Sequence, residues 1–572
     1  MKRILSFIAI LSILTIHSVK AEETPTMLID DLYFTLNSAE GTAEVANNPG
    51  TNGDVYIPEI ITDGDRDYRV NSISEYAFAG CPELTMVVLP PTIERVYRSS
   101  FSGTAMFSDR ELWKDGLLII DNILLAADKS LPKAKVIIPE GVRVIAAGAF
   151  QGNKMVKSVS IPSTVSRIDV NTFRDCKELI KVTFGRNVKS IGMDAFTKCG
   201  IWNNPKKWRK GILFIDTCLI AVNKEVPARV KASKPYRLIA DGAFAGSQVV
   251  QSVEISAMTT AIPDACFYGC AKLKSVTIPQ SITSIGTFAF YNCGALSKVE
   301  LPTALNKLGD GAFYQCSSLE SPILPAGIDT IPNGCFFGCR QFVTLHLPES
   351  LNAIGDGAYA GCIRIEEVAL PKNLKHMGKQ CFMGCTQLSE INIPDEVSEI
   401  PVEAFMGCSR LINVGMPESL YTINDRAFAD CVSLSAVSLP ENTFSIGAET
   451  FSGCQTLERA LLNENLYTIG AGAFQNCYQL MEISIPNRIT IINERTFMSC
   501  YALNRVKLPK NLRFIESRAF MTCRMLKSIE IPGSVEGIGA EAFMDCKNLK
   551  ISAVRIPETA EIGKNAFKGC LE

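Results

Sequence analysis

The sequence predicts a β-rich solenoid: parallel strands stacked in about 22 coils, with short helical or 3₁₀ turns between them. Three observations predict it. An aromatic residue recurs every 23 residues through most of the chain, an interval that marks a repeat architecture. Each period alternates apolar and polar residues, as a strand with one buried face does. The 572 residues, 47% hydrophobic and 20% charged, are too many for one ordinary domain and too apolar for disorder.

The chain opens on an export signal. Met1-Lys2-Arg3 is a basic start, Ile4 to Ile16 is nearly all apolar, and Val19-Lys20-Ala21 places a cleavage point after Ala21. The apolar run is too short to span a bilayer, and no later stretch is long enough, so no transmembrane segment is expected. Without residues 1–21 the chain holds 54 basic and 59 acidic residues, which draws it to neither nucleic acid nor anionic lipid.

The aromatic of a recurring Ala-Phe pair is the ruler. It falls at Phe244, Phe267, Phe290 and onward in equal steps to Phe543, with Tyr359 in one place, and one residue late at Phe567. Backwards it reaches Phe196, Phe173, Phe150, Phe101 and Phe78. Two gaps of 49 and 48 residues carry similar text, Gly116-Leu-Leu-Ile-Ile-Asp and Gly211-Ile-Leu-Phe-Ile-Asp, so each is expected to hold a degenerate coil without its aromatic. Irregular inserts are placed near 102–140 and 200–235.

Within one period, Val276 and Ile278 alternate with Ser275 and Thr277 as a strand, and Pro279, lacking an amide donor, ends it. Gly286 suits a corner of positive φ, with Pro263, Pro332, Pro401, Asn424 and Asn493 standing in its place elsewhere. The Ala-Phe segment is expected to turn as a short helical or 3₁₀ piece, with the ring inside. No coil buries its own apolar residues; stacked neighbours do.

The pattern Leu-x-x-Val-x-Ile-Pro…Ile-Gly-x-x-Ala-Phe-x-x-Cys resembles the BspA-like leucine-rich repeats of bacterial surface and secreted proteins, over roughly residues 71–572. The resemblance implies a leucine-rich-repeat solenoid used for binding, and partners in host matrix or on other cells. Ile29-Asp-Asp-Leu-Tyr-Phe-Thr-Leu and Gly53-Asp-Val-Tyr-Ile-Pro look like the N-terminal β cap seen before such arrays, here 22–70.

Seventeen of the 21 cysteines lie three residues after an anchor aromatic. Export favours disulfides, yet Thr104, Asn153 and Ser247 fill the same repeat position, so the cysteines are read as a ladder of buried free thiols. The pairs Cys266/Cys270, Cys335/Cys339 and Cys381/Cys385 have zinc-ligand spacing, but the first of each replaces the small residue beside the anchor, and packing explains it better. No metal and no cofactor is expected.

Candidate partner-binding residues fall in two places. Outward rows on the strands, thirteen and fifteen residues before each anchor, are small, polar and of mixed sign, with no aromatic; His346, Glu367, Glu390, Arg505 and Lys507 are their notable members. All three tryptophans, Trp113, Trp202 and Trp208, lie in the two gaps, the latter pair with Arg209. Tryptophan with arginine has the composition of a binding hot spot; equally, tryptophan plugs the space of a missing anchor. The inserts are expected to outweigh the strand rows.

With only three histidines, no phosphate loop, no nucleophile elbow and no metalloprotease motif, the chain is not expected to be an enzyme. The expected function is that of an exported, adhesin-like protein-binding solenoid engaging extracellular or cell-surface macromolecules; a periplasmic or envelope scaffold holding other bacterial proteins is the alternative. The array runs to Cys570 without a polar cap, leaving Ile556 and Phe567 near solvent, so a weak end-to-end dimer is expected.

Overall fold

A computed structural model describes residues 26–38, 40–232 and 235–572; the signal peptide expected over 1–21 lies outside the described residues. The chain forms two compact units, Met1–Ala221 and Val222–Glu572.

The first unit begins with a five-stranded sheet. Strands β1 (Thr26–Ile29), β2 (Leu32–Asn37) and β3 (Thr42–Val45) are antiparallel, with Asp30 and Asp31 left-handed in the first turn. After β4 (Gly53–Tyr56), β5 (Ile60–Asp63) pairs antiparallel with β6 (Arg66–Ile73), and β6 lies parallel to β3. From here the winding is regular: β4 takes β7 (Leu84–Val88) as a parallel partner, and Ser72 bridges to Arg95. Asn48 already stands where an anchor would, since the Cys81 thiol donates to its carbonyl as later cysteines do to their aromatics. With that first coil the chain winds about 23 coils, one more than the ruler counts.

The second unit shows the coil in its plainest form. Ser275–Thr277 buries Val276 and turns Ser275 and Thr277 outward, and it pairs in register with Ser252–Glu254, one period earlier. Pro279 follows and ends the strand, having no N–H to give to the ladder. Ser284–Ile285 forms a second parallel ladder between Ala261–Ile262 and Lys307–Leu308. Because pairing repeats every 23 residues, equivalent side chains stand directly over one another.

The third side of the coil carries the anchors and differs from expectation. Ala289 and Cys293 donate N–H to Gly286 and Phe290 across tight turns, while Phe288, Phe290 and Asn292 donate to Asp310, Ala312 and Tyr314 of the next coil. Every second amide thus serves the neighbouring coil, which a helix would forbid. Short helical turns occur instead at the inserts, at Arg98–Phe101 and at Ile551–Ala553.

Gly286 is not left-handed. The positive φ angles sit two residues before and two after the anchor, as at Phe288 and Asn292 (φ 53° and 55°) or Gly334 and Gly338 (φ 56° and 69°). Gly286 answers a different demand: a Cβ there would lie 2.4 Å from Asp264 Oδ1 and 2.6 Å from Asp264 N, so the preceding coil's backbone leaves no room for a side chain.

Packing follows the ruler. From Phe244 to Phe567 the anchor rings form one stack, with successive centroids between 4.9 Å (Phe244/Phe267) and 5.7 Å (Phe382/Phe405). Offset stacking of this kind adds about 0.5–1.5 kcal/mol per pair to the gain from burial. Phe567 and Ile556 are only half-buried, and Ile562 and Leu571 are exposed.

The gaps hold more than degenerate coils. After Phe101 come α1 (Ala105–Ser108), a 3₁₀ turn and an antiparallel meander of β8 (Trp113–Lys114), β9 (Leu117–Ile120) and β10 (Ile123–Ala127). Two-residue turns with both φ angles positive, Asp115-Gly116 (50°, 78°) and Asp121-Asn122 (45°, 63°), close the hairpins. The meander then rejoins the winding, because β10 pairs parallel with Val144–Ile145 and Ala127 N donates to Ala149 O as Phe150 N does to Thr172 O. Ala127 therefore occupies the missing anchor's place. The second gap repeats the plan with α2 (Gly200–Asn203), a 3₁₀ turn and the antiparallel pair Trp208–Arg209 and Ile212–Ile215.

Candidate binding surfaces

Each insert is a small tryptophan-centred motif built the same way. Thr104 and Cys199 cap the helical turns, accepting N–H from Phe107 and Trp202. Asp109 and Asn204 cap the 3₁₀ turns that follow, and these deliver Trp113 and Trp208. Trp113 Nε1 donates to Phe107 O at 3.2 Å with the rings edge to face, and Trp208 Nε1 donates to Trp202 O at 2.7 Å in the same geometry. All three tryptophans are half-buried, each pair is bonded within its own motif, and in the first gap Ala127 takes the missing anchor's backbone position. Around the second pair, Lys206, Lys207, Arg209 and Lys210 are exposed. At the first, Arg110 lies over the Trp113 ring and pairs with Asp128.

The strand rows hold the remaining candidates in the second unit. Glu367 and Glu390 stand directly opposite in adjacent strands, like over like. Arg505 is matched with Glu482 in register and reaches it at 3.4 Å in an exposed, solvent-screened pair; Lys507 stands beside Ser484. Exposed His346 rims a shallow depression with Ser321, Leu324 and Phe342, several coils from Arg505. The structure brings together Trp202, Trp208 and Arg209, and separately Glu367 and Glu390; it does not join the strand-row residues into one site.

Two aromatic ladders escaped the reading of the strand rows, because they lie at other positions of the same period. One residue after the anchor, Tyr268, Tyr291, Tyr314 and Phe337 stack at 4.5–5.0 Å. Seven residues before it, Tyr421, Phe444 and Tyr467 stack at 5.2–5.5 Å. The 23-residue ruler, applied to every position in the period rather than to the strand alone, finds both.

The cysteines form a structural ladder. Each thiol three residues after an anchor from Cys270 onward donates to the anchor carbonyl one coil back, as Cys293 does to Phe267 O at 3.1 Å. All 21 are free. Burial pushes the Cys270, Cys316, Cys362 and Cys408 thiols up to about 12, away from the thiolate that metal binding or nucleophilic chemistry requires. Among the described residues, no group of three or more His, Cys, Asp or Glu is placed to hold a metal ion, and no helix is long and apolar enough to cross a membrane.

A solenoid of parallel ladders, stacked rings and surface rows is a repeat scaffold of the kind that binds proteins. The description "BspA type Leucine rich repeat region" matches residues 71–203, 237–351, 329–458 and 445–572, and the chain belongs to that family. No curated protein matches the sequence. Among solved structures, the chain is similar to a leucine-rich repeat protein from Bacteroides ovatus, 24% identical over 81% of this chain and 95% of that one, with a TM-score of 0.35. It is also similar to a leucine rich cell surface protein from Faecalibacterium prausnitzii, 20% identical over 85% and 96% of the two chains, with a TM-score of 0.30.

Proposed function

We propose that the chain is an exported, adhesin-like protein that engages extracellular or cell-surface macromolecules without catalysing a reaction. The observation that carries this reading is the pair of alike tryptophan motifs, each interrupting a solenoid that otherwise keeps close to its 23-residue repeat. An insertion that serves only to fill space has no need of a capped helical turn, a capped 3₁₀ turn and a tryptophan pair, and exposed basic residues beside half-buried tryptophan suit a protein partner. Trp113, Trp202, Trp208 and Arg209 are the primary contacts; His346, Glu367, Glu390, Arg505 and Lys507 are secondary ones. The basic start and apolar run of residues 1–21 support export.

Protease shaving of intact producing cells tests the reading, with a periplasmic protein as control. Fragments of the solenoid are expected in the supernatant while the control stays whole. Protection until the outer envelope is opened would overturn the adhesin reading in favour of an envelope scaffold.

A further inference from the structure

The second unit carries an aromatic ridge that its core does not need. Seven residues before the anchor, successive coils read Ser398, Tyr421, Phe444, Tyr467 and Thr490. Leu420, Thr443 and Leu466, one residue earlier in each coil, already fill the interior. The rings stand outside, Tyr421 55% and Tyr467 56% exposed, nearly parallel at interplanar angles of 2° and 7°. Their backbone is held turn to turn, the N–H of Tyr421, Phe444 and Tyr467 donating to Ser398, Tyr421 and Phe444 at 2.7–2.8 Å. In the next two coils the adjoining position holds Ile491, 39% exposed, and half-buried Phe514, whose ring lies under the Arg513 guanidinium. A row of exposed stacked rings crossing three coils marks a contact site.

Charge names the occupant. Three residues before each ring stand Glu418, Glu441 and Glu464, all exposed, in adjacent coils about 4.8 Å apart. Among the described residues none of them has an ion-pair partner, although the unit commonly answers a carboxylate with an arginine one coil away: Arg426 with Glu403, Arg505 with Glu482, Arg513 with Glu536, Arg518 with Glu541. Like charge over like destabilises a ladder, so this row costs the fold something that a cationic ligand would relieve. Tyr421 is the first ring of its stack, and the coil before it offers Ser398 and no ring, with exposed Glu396 and Glu399 close by in sequence. An open aromatic face among carboxylates favours a guanidinium or ammonium twice over, through the ring quadrupole and through charge-assisted hydrogen bonds. A second copy of this face would set acid against acid, and nucleic acid would be repelled.

We propose that the Tyr421–Phe444–Tyr467 ridge docks an extended, arginine-bearing segment of a protein partner, with a cationic side chain on the open face of Tyr421 and apolar parts along the rings. This goes beyond the adhesin reading and holds whether the partner is a host or a bacterial protein.

The test measures binding in solution, so its failure leaves the question of location untouched. A fluorescent synthetic peptide alternating Arg and Ser is titrated against the full chain by fluorescence polarisation, with a Glu-for-Arg peptide as control. The Arg peptide is expected to bind and the Glu peptide not. Tyr421→Ala, and separately the triple Glu418→Gln, Glu441→Gln, Glu464→Gln, are each expected to weaken binding about tenfold, while Tyr421→Phe keeps it. Equal affinity in all variants overturns the proposal. Loss in the triple alone, with Tyr421→Ala unaffected, also overturns it, because binding would then be diffuse charge attraction. If Tyr421→Ala melts early, Tyr421→Leu removes the ring and keeps the bulk, and the same comparison holds.

Discussion

A thiol three residues after the anchor, present from Cys270 to Cys570, does two things at once. It fills a buried site, and it donates weakly to the anchor carbonyl of the preceding coil, at 3.0–3.4 Å from Cys270 to Cys570. Asn153, which takes the cysteine's place where the preceding coil has Ala127 instead of an aromatic, also donates to that coil but one residue further on, its Nδ2 bonding to Asp128 O at 2.6 Å. Desolvation pushes Cys270, Cys316, Cys362 and Cys408 up to about 12, whereas an unfolded thiol ionises near 9. The folded chain therefore holds protons that the unfolded chain releases, so the thiols' contribution to stability is full below about pH 9 and is lost as pH rises toward about 12. The urea midpoint is expected to stay level through neutral pH and to fall above about pH 9, less steeply in the triple Cys316→Ala, Cys362→Ala, Cys408→Ala. An unchanged alkaline slope in that variant would mean that other groups cause the loss. The position was legible in the sequence because it recurs at fixed spacing; the donor's target was not, since the carbonyl belongs to the coil before.

The inserts are the elements on which the functional reading turns. Their kinship shows in the text of the two gaps, and Asp115-Gly116 between apolar runs is a hairpin signal the sequence displays openly. The joining of tryptophan to its helical turn is not legible, because it rests on Trp113 Nε1 reaching Phe107 O and Trp208 Nε1 reaching Trp202 O across a chain reversal. Replacing Trp202 and Trp208 together by Ala is expected to lower affinity for immobilised extracellular-matrix proteins by about tenfold or more, by surface plasmon resonance. Unchanged affinity would move the contact to the strand rows or the aromatic ridge. Gly286 teaches the converse: its place in the repeat was evident, but the reason for it is the neighbouring backbone, not its own φ.

At the scale of the whole molecule, stability is shared between neighbours and has no centre. Within the stack an anchor ring touches the ring before and the ring after, so Phe405→Ala removes one side chain and two stacking contacts, to Phe382 and Phe428. A loss of about 3–5 kcal/mol is expected, with proteolysis appearing first around that coil, because a one-dimensional array opens where its weakest interface lies. Phe567→Ala, at a half-buried ring with one stacking neighbour, is expected to cost less. Equal losses at the two sites would mean that the stack carries little of the stability.

The sequence by itself determined the period, the buried residues of each coil, the parallel strands and the family, because a solenoid's long-range contacts are all the same contact repeated every 23 residues. Only the tertiary structure decided what stands beside what when the spacing is not that repeat. It placed the left-handed residues on either side of the anchor, built the meanders in the gaps, and left the row of glutamates beside the aromatic ridge without ion-pair partners among the described residues. Those outcomes depend on how one coil's backbone and side chains meet the next coil's surface, and a single period does not contain that information.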